Sequence, residues 1–224
     1  SAVLAVTGYD EAATVLQDSD TFSSCIAVAG PFPPLPFTPE GDDITDQITA
    51  HRPQMPMFEH MVTMDPPDHT NARSLLNRLL TPSRLKENED FMWRLADEVL
   101  DDFIAAGRCE FLSAYAKPFS LLVIADLLGV PESDHEEFRT VLGAPRPGAN
   151  VGSLDHSDLV GANPLEWLDE KFIGYLEERR KEPRDDVLTA LATAKYPDGS
   201  TPPVIEVGRS ATVLLAAGQE ATTK

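Results

Sequence analysis

Two polar side chains at helical spacing precede an apolar stripe and could bind an anion. His69 and Arg73 are four residues apart, so on a helix they lie on one face, and Leu76 and Leu80 continue that face. Two hydrogen-bond donors at the start of a buried face could hold a carboxylate. A half-exposed pair that binds nearby acids has the same spacing, and spacing alone favours this second interpretation.

A second candidate lies near the end of the sequence, where Gly218 interrupts an apolar helical pattern. A glycine inside a helix costs roughly 1 kcal/mol relative to alanine, so the position calls for a small residue. A small residue would let a flat ligand approach the backbone, with Glu220 and Thr222 as an acid and a hydroxyl of a proton relay. Alternatively, Gly218 allows close helix packing, and the pattern leaves the two interpretations equal.

The charge of the chain excludes several classes of partner. The 224 residues carry 18 Lys and Arg against 37 Asp and Glu, a formal net charge of -19. Such a surface repels nucleic-acid phosphates and anionic lipid, so we expect neither nucleic-acid binding nor membrane docking. No apolar run approaches the roughly 18 residues of a membrane span, and no basic leader precedes Val6. Cys25 and Cys109 lie far apart, which predicts no disulfide framework or zinc site and a cytoplasmic location.

The elements that must position these candidates are predicted to be mainly α-helical, with a short strand at Val3–Val6. A helix at Tyr9–Gln17 would bury Ala12, Ala13, Val15 and Leu16. Residues 25–64 show little periodicity and contain a proline cluster, which excludes a helix through that cluster. Because the segment is also rich in Phe, Leu and Met, we expect an ordered binding loop rather than a solvated linker.

Helix start signals follow one another after this loop. Asp65 is predicted to cap a helix whose first turn holds Pro66 and Pro67 and which runs to about Leu80. Thr81-Pro82 opens the next segment, in which one buried stripe precedes a stop at Gly107. That stripe consists of Phe91, Leu95, Val99 and Phe103.

The remaining pattern predicts further helices and one flexible loop. Tyr115–Leu128 is expected to be a core helix closed by Gly129 and Pro131, and Glu132–Leu142 a polar helix. Residues 144–162 form a predicted loop, and helices follow at 163–180 and 185–195. A turn at 196–199 precedes Thr201-Pro202-Pro203, which opens a last apolar helix over 203–224. Without a clear dividing point, residues 1–224 are interpreted as a single partial domain.

Five stretches of the sequence resemble, in order, segments of the bacterial cytochromes P-450. Asp65-Pro-Pro-Asp-His-Thr70 with Arg73 is similar to the start of that family's haem-contacting helix. Phe22-Ser-Ser, Thr81-Pro82 with Arg84, and Asp126-Leu-Leu-Gly-Val-Pro131 are similar to three other helix boundaries. Ala217-Gly-Gln-Glu-x-Thr222 is similar to the long central helix that crosses the haem face. The chain therefore looks like the N-terminal half of this helical fold, with a minor β element, ending in the central helix.

The resemblance implies a haem-thiolate monooxygenase that inserts one oxygen atom from O2 into a small hydrophobic organic substrate. His69 and Arg73 would bind a haem propionate, with Ala217 and Gly218 against the haem face. Glu220 would be the acid of the proton-delivery pair, with Thr222 as the candidate hydroxyl. Residues 25–64 would be the substrate loop, and the implied substrate contacts are Met57, Phe58, Val62, Val213 and Ala216.

The resemblance also implies a partner protein. Electrons would come from a separate ferredoxin-type donor, because the sequence has no flavin or iron–sulfur motif. A small basic patch in an otherwise acidic chain could dock an acidic partner. It consists of Arg73, Arg78, Arg84 and Lys86.

Two departures from the family pattern bear on the chemistry. The family carries threonine directly after the acid, whereas this chain has Ala221 there and Thr222 next. The axial cysteine ligand of the haem iron, which follows the central helix in the family, is not found in this sequence. Neither Cys25 nor Cys109 has the flanks of the ligand loop, and both are interpreted as ordinary thiols. No iron ligand is therefore assigned within these residues.

Two other functional classes stay open at this point. The chain could be a truncated, non-catalytic relative that acts as a helical hydrophobic-ligand-binding protein. It could also be a helical module that binds lipid or another hydrophobic molecule without haem. The length of the natural reading frame separates these hypotheses from the enzyme.

Overall fold

Ten α-helices make up most of the described part of the chain. The computed structural model describes residues 4–28, 35–76, 82–143 and 165–221, apart from the side chains of Arg84, Glu220 and Ala221. The mainly helical fold class is confirmed, but the predicted strand is wrong for the residues described. Residues 4–6 are irregular, and Leu4 is 88% exposed. Among the described residues, no second strand lies beside this segment to form a sheet with it.

The chain divides into two compact units, one formed by residues 1–72 and 146–167 and the other by 73–145 and 168–224. The single-domain interpretation stays a prediction. None of the helices in the described ranges is long and apolar enough to cross a membrane.

The first unit contains two short helices and the start of a third. Helix α1 spans Tyr9–Gln17, as predicted, but it buries no residue, and Leu16 is 84% exposed. Helix α2 spans Thr45–His51, inside the segment predicted as a loop. Single 3-10 turns follow at Arg52–Gln54 and Met61–Thr63. Helix α3 spans Asp68–Leu76, and residues 77–80 of its predicted range lie outside the description.

Helix α2 escaped the sequence analysis because it is only seven residues long. So short a helix shows less than two turns of periodicity, and its stability comes from local bonds and packing. Its start is held by Asp43, whose carboxylate accepts from the backbone N–H of Thr45 at 2.9 Å and from the Thr45 hydroxyl at 2.7 Å. Both hydrogen bonds lower the pKa of Asp43, and the bond from the backbone N–H has the larger effect.

The second unit contains the other helices. They are α4 at Pro82–Glu87, α5 at Glu89–Ile104, α6 at Lys117–Leu127, α7 at His135–Gly143, α8 at Glu166–Lys181, α9 at Val187–Ala192 and α10 at Val204–Ala221. A π-helical turn at Leu112–Ala116 leads into α6. The predicted loop at 144–162 lies outside the described residues.

Helix α6 lies at the centre of the second unit, with α5, α7 and α10 packed against it. The predicted stripe of α5 faces it: Leu95 and Val99 are buried against Leu122 of α6. Helix α7 is less polar than expected, because Phe138 is fully buried on its inner face. Its apolar positions are three and four residues apart, so one side packs while the other stays charged.

Glycine closes two of these helices as predicted. Gly107 has φ +62° after α5, and Gly129 has φ +78° after α6. The N–H of Val130 then bonds the carbonyl of Ala125 at 2.9 Å, which satisfies a carbonyl left free at the helix end.

Candidate functional site

Asp65 joins two of the motif segments instead of capping α3. Its carboxylate accepts from the backbone N–H of Ser24 at 2.7 Å and from the Ser23 hydroxyl at 2.5 Å. Its backbone carbonyl accepts from the N–H of His69 at 3.0 Å. Helix α3 therefore begins after the Pro66-Pro67 pair rather than with it, and Asp65 ties its entry to a segment 41 residues earlier.

Helix α3 carries both predicted donors. His69 is half-buried and Arg73 is exposed, whereas Leu76 on the same face is 8% exposed. Within the described ranges, neither polar side chain has a hydrogen-bond or ion-pair partner. The alternative that these residues bind nearby acids is therefore not realised in this part of the chain. Two donors on one face remain available to a ligand acid.

The predicted substrate residues lie in two successive turns of the first unit, Met57 and Phe58 in the first and Val62 in the 3-10 turn Met61–Thr63, and all three are half-buried. Thr63 joins the two turns, because it is fully buried and donates its hydroxyl to the carbonyl of Met57 at 2.7 Å. An Arg52 guanidinium nitrogen donates to the Thr63 carbonyl at 2.9 Å. These bonds link the residues around Met57, Phe58 and Val62, and the substrate loop over residues 25–64 stays a prediction.

Two other methionines of this loop form its interior. Met55 is 1% exposed and Met61 is 8% exposed, so both pack inside the unit. All three methionines belong to the same apolar run, so their difference in burial has no local signal in the sequence. Sequence reasoning also missed Thr63 and Arg52, whose bonds to residues 6 and 11 positions away leave no local pattern.

Gly218 of α10 faces α6 rather than open space. A Cβ added at Gly218 would lie 2.8 Å from Cγ1 of Ile124. Next to it, the buried Ser120 hydroxyl of α6 lies 3.3 Å from the carbonyl of Gln219. Of the two interpretations of this glycine, close helix packing is the one that these contacts support, and its contact with haem stays a prediction.

Helix α10 also approaches a neighbouring helix closely at Gly208, and the sequence analysis did not predict this contact. A Cβ at Gly208 would lie 2.9 Å from Cγ1 of Ile173 on α8. The signal was present in the sequence, since two glycines ten residues apart interrupt one apolar helix. The helix therefore uses glycine to approach one neighbour near each end.

The other predicted residues of α10 differ in burial. Val213 is 7% exposed and Ala216 is half-buried, whereas Ala217 is exposed. A small exposed side chain at Ala217 leaves the helix surface open to a flat group. The side chain of Glu220 and all of Thr222 lie outside the described residues, so their relay roles stay predictions.

Helix α10 is continuous through Gly218 to Ala221. In a regular α-helix, successive residues are turned by about 100°. The described part of the helix shows no interruption at Gly218, and Thr222 lies outside it.

The two cysteines occupy different environments. Cys25 is 3% exposed, and burial raises the pKa of its thiol, while Cys109 is exposed. A buried, protonated thiol is a poor metal ligand and a poor nucleophile. This agrees with interpreting Cys25 as a structural thiol, and the absence of an axial ligand from these residues stays a prediction.

The described residues fit the group that the resemblance implies. A haem propionate requires donors that no protein acid occupies, and His69 and Arg73 meet that requirement. Ala217 offers a surface without a protruding side chain. Gly218 does not fit this role, because the Ile124 side chain occupies the space beside it.

Known proteins similar to this chain are cytochromes P-450. A solved cytochrome P-450 of Mycobacterium marinum, in its substrate-free form, is 64% identical over 98% of this chain and 50% of its own, with a TM-score of 0.84. The nocardicin C N-oxygenase of Nocardia uniformis is 30% identical over 97% of this chain and 49% of its own length. The vitamin D(3) 25-hydroxylase of Pseudonocardia autotrophica is 33% identical over 72% of this chain and 38% of its own length.

No family model matches the chain. The chain spans about half the length of the curated relatives that match nearly all of it.

Proposed function

Because it is similar over almost its whole length to cytochromes P-450, the chain belongs to that family, and we propose that it is part of a haem-dependent monooxygenase. The enzyme would insert one oxygen atom from O2 into a small hydrophobic organic substrate. The observation that carries this proposal is the 64% identity to a solved cytochrome P-450 over 98% of the chain. When bound, haem would supply the activation of O2.

The role of α3 in this proposal is to bind the cofactor. Arg73 presents a planar fork of donors that matches a carboxylate, and His69 adds one more donor on the same helix. Ser23 and Ser24 hold Asp65, and Asp65 holds the start of the helix that carries His69. The serines and Asp65 are therefore positioning residues for the donor pair.

Substrate binding is assigned to two sets of residues, one in the turns at residues 56–63 and the other on α10. Met57, Phe58 and Val62 are half-buried, so each keeps apolar surface available to a ligand. Val213 and Ala216 supply apolar surface on α10. These residue types favour an uncharged, mostly hydrophobic substrate.

Proton delivery is assigned to Glu220, with Thr222 as the candidate hydroxyl. Helix α10 is continuous to Ala221, and in a regular α-helix the next residue would be turned about 100° away, which would make Thr222 a poor substitute for a hydroxyl at position 221. We therefore expect an incompletely ordered relay that releases peroxide.

Electron supply is assigned to a separate ferredoxin-type protein. Of the predicted basic patch, Lys86 is exposed and fits an acidic docking partner, whereas Arg73 is assigned to the haem propionate. Arg78 and the side chain of Arg84 lie outside the described residues.

The test is a carbon-monoxide difference spectrum of the reduced natural full-length protein, together with one of residues 1–224 alone. The proposal predicts the band of thiolate-ligated haem from the full-length protein and none from residues 1–224. A full-length protein without that band would contradict the proposal. A thiolate band from residues 1–224 would make Cys25 or Cys109 a ligand candidate.

A further inference from the structure

The backbone of the first unit is strained at Met57. Among the described residues other than glycine, Met57 is the one with a positive φ, +51°. This left-handed conformation is unfavourable for a residue that carries a Cβ. Pro56 precedes it, and a turn with a positive φ directly after proline favours glycine or asparagine at that position. The chain therefore keeps a long side chain where glycine would cost less.

Packing of the core does not explain the methionine at this position. Met55 and Met61, on either side of it, are 1% and 8% exposed and pack inside the unit. Met57 and Phe58 are only half-buried, so part of each side chain stays at the surface. Strained backbone conformations are concentrated at ligand-binding and active sites. Met57 is thus a candidate ligand contact on structural grounds as well as by resemblance.

The hydroxyl of Thr63 holds this strained backbone in place. It donates to the carbonyl of Met57 at 2.7 Å and lies 3.1 Å from the carbonyl of His60. The backbone N–H of His60 donates to the same Met57 carbonyl at 2.9 Å. Two donors therefore fix the plane of the peptide bond between Met57 and Phe58, which sets ψ of the first residue and φ of the second.

Thr63 is itself fixed through both of its backbone groups. Its N–H donates to the carbonyl of His60 at 3.0 Å, and its carbonyl accepts from the guanidinium of Arg52 at 2.9 Å. The residue is fully buried, so water does not compete for its hydroxyl. Replacing the hydroxyl by a methyl group would remove one of the two donors to Met57 and leave the backbone bonds of Thr63 intact.

We propose that Thr63 is a positioning residue that keeps Met57 left-handed and so fixes how Met57 and Phe58 present apolar surface to a hydrophobic ligand. The inference rests on the proposed function, which assigns these two side chains to substrate binding, and it names the hydroxyl on which their arrangement depends. Thr63 is fully buried and acts only through the backbone of Met57. Its loss therefore weakens a large hydrophobic ligand that reaches the turn and spares a small one.

Optical titration of the natural full-length haem protein with clotrimazole tests the proposal, with imidazole as the small probe. Both bind the haem iron through an imidazole nitrogen, and only clotrimazole carries a bulky triarylmethyl group. We expect Thr63→Val to weaken clotrimazole binding about three- to tenfold, the equivalent of one hydrogen bond. Imidazole binding should stay within about twofold, and Thr63→Ser, which keeps the donor, should bind clotrimazole within about twofold of the unmodified protein.

Phe58→Ala shows whether Thr63 acts through its neighbours. We expect this change to weaken clotrimazole binding in the unmodified protein and to weaken it less in the Thr63→Val background, where Phe58 is no longer held. Thr193→Val is the matched control, because Thr193 is an exposed residue of the second unit whose hydroxyl donates to the Thr189 carbonyl at 2.8 Å. It should leave both affinities unchanged within about twofold.

Met57→Ile and Met57→Leu test the left-handed conformation without changing Thr63. The two side chains are isomers, but β-branched isoleucine tolerates a positive φ poorly. Met57→Ile should bind clotrimazole at least about threefold more weakly than Met57→Leu. Met57 is half-buried, so this pair keeps the proposal testable even if Thr63→Val fails to fold.

Unchanged clotrimazole affinity in Thr63→Val, with normal imidazole binding, would overturn the inference alone. So would an equal loss for both probes, no rescue by Thr63→Ser, additive effects of Phe58→Ala and Thr63→Val, or equal affinities of the two Met57 variants. A full-length protein that binds neither haem nor imidazole would instead overturn the proposed function and, with it, this inference.

Discussion

Helices α3 and α10 both carry predicted haem-binding residues, but they present them in opposite ways. On α3, His69 is half-buried and Arg73 is exposed, and neither side chain has a protein partner in the described ranges. On α10, the Ile124 side chain occupies the space next to Gly218, and Leu215, three residues earlier, is fully buried. The α3 donors are free to bind a ligand, whereas the contacts of Gly218 on α10 support packing.

The comparison separates the effects of mutation on stability from those on cofactor binding. Substitutions on the packed side of α10 should destabilise the fold. Substitutions of the α3 donors should leave the fold almost unchanged and act on cofactor retention. The predictions below concern the natural full-length protein.

The largest effect is expected from Leu215→Ala. Leu215 is fully buried, and truncating a buried leucine costs about 2–5 kcal/mol in the free energy of unfolding. Urea denaturation measures it. Leu214→Ala, at a half-buried neighbour, is the control and should cost less. Equal losses would mean that α10 has no distinct packed side.

A smaller effect, with a diagnostic sign, is expected from Gly218→Ala. The new Cβ would lie 2.8 Å from Cγ1 of Ile124, so overpacking of about 1–3 kcal/mol offsets the gain in helix propensity. Gly174→Ala on α8 is the matched control, since nothing lies within 4 Å of its added Cβ. It should stabilise by about 0.5–1 kcal/mol.

Thermal unfolding compares the two glycine variants. A stabilisation by Gly218→Ala equal to that of Gly174→Ala would contradict the packing interpretation. Gly218→Ala should cost less in an Ile124→Ala background than in the unmodified protein, because alanine lacks the Cγ1 and Cδ1 atoms that the added Cβ would meet.

Asp65→Ala should cost about 1–2 kcal/mol. It removes the acceptor of the Ser23 and Ser24 bonds, which are only partly shielded from water. Asp68→Ala, an exposed acid in the first turn of α3, should cost less than about 0.5 kcal/mol. Urea denaturation of both variants gives the difference, and equal costs would show that the Asp65 bonds contribute no net stability.

At the end of α10, Ala221→Thr should reduce the peroxide released per electron pair consumed, while Thr222→Ala should change it little. The reason is that a regular helix directs the two positions about 100° apart. Peroxide and product are measured with the same electron donor. A collapse of coupling in Thr222→Ala, with no change in Ala221→Thr, would assign the relay to Thr222.

Features with a local pattern could be predicted from the sequence. The stripe Phe91, Leu95, Val99 and Phe103 and the stops at Gly107 and Gly129 follow from four-residue periodicity and from the positive φ that glycine allows. That His69 and Arg73 share one face of α3 follows from their spacing, whereas their role as propionate donors comes from the family resemblance and stays a prediction.

Features that depend on distant partners could not be predicted. The bond from Asp65 to the Ser23-Ser24 segment and the packing of Gly208 on Ile173 each join residues more than thirty positions apart. The predicted burial of Leu16 failed because amphipathic spacing shows which face could be buried, not whether a neighbour covers it. The cytoplasmic location stays a prediction.

The rate of haem loss from Arg73→Ala and His69→Ala tests the central claim most directly, with an apo-globin as the haem acceptor. Each lost charge-assisted bond is worth about 1.5–3 kcal/mol, less where water reaches the site. We expect Arg73→Ala to lose haem at least about tenfold faster than the unmodified protein and His69→Ala to lose it less rapidly. Both should unfold within about 0.5 kcal/mol of the unmodified protein. If both variants retain haem like the unmodified protein, the α3 pair is a surface feature and the account of the site is wrong.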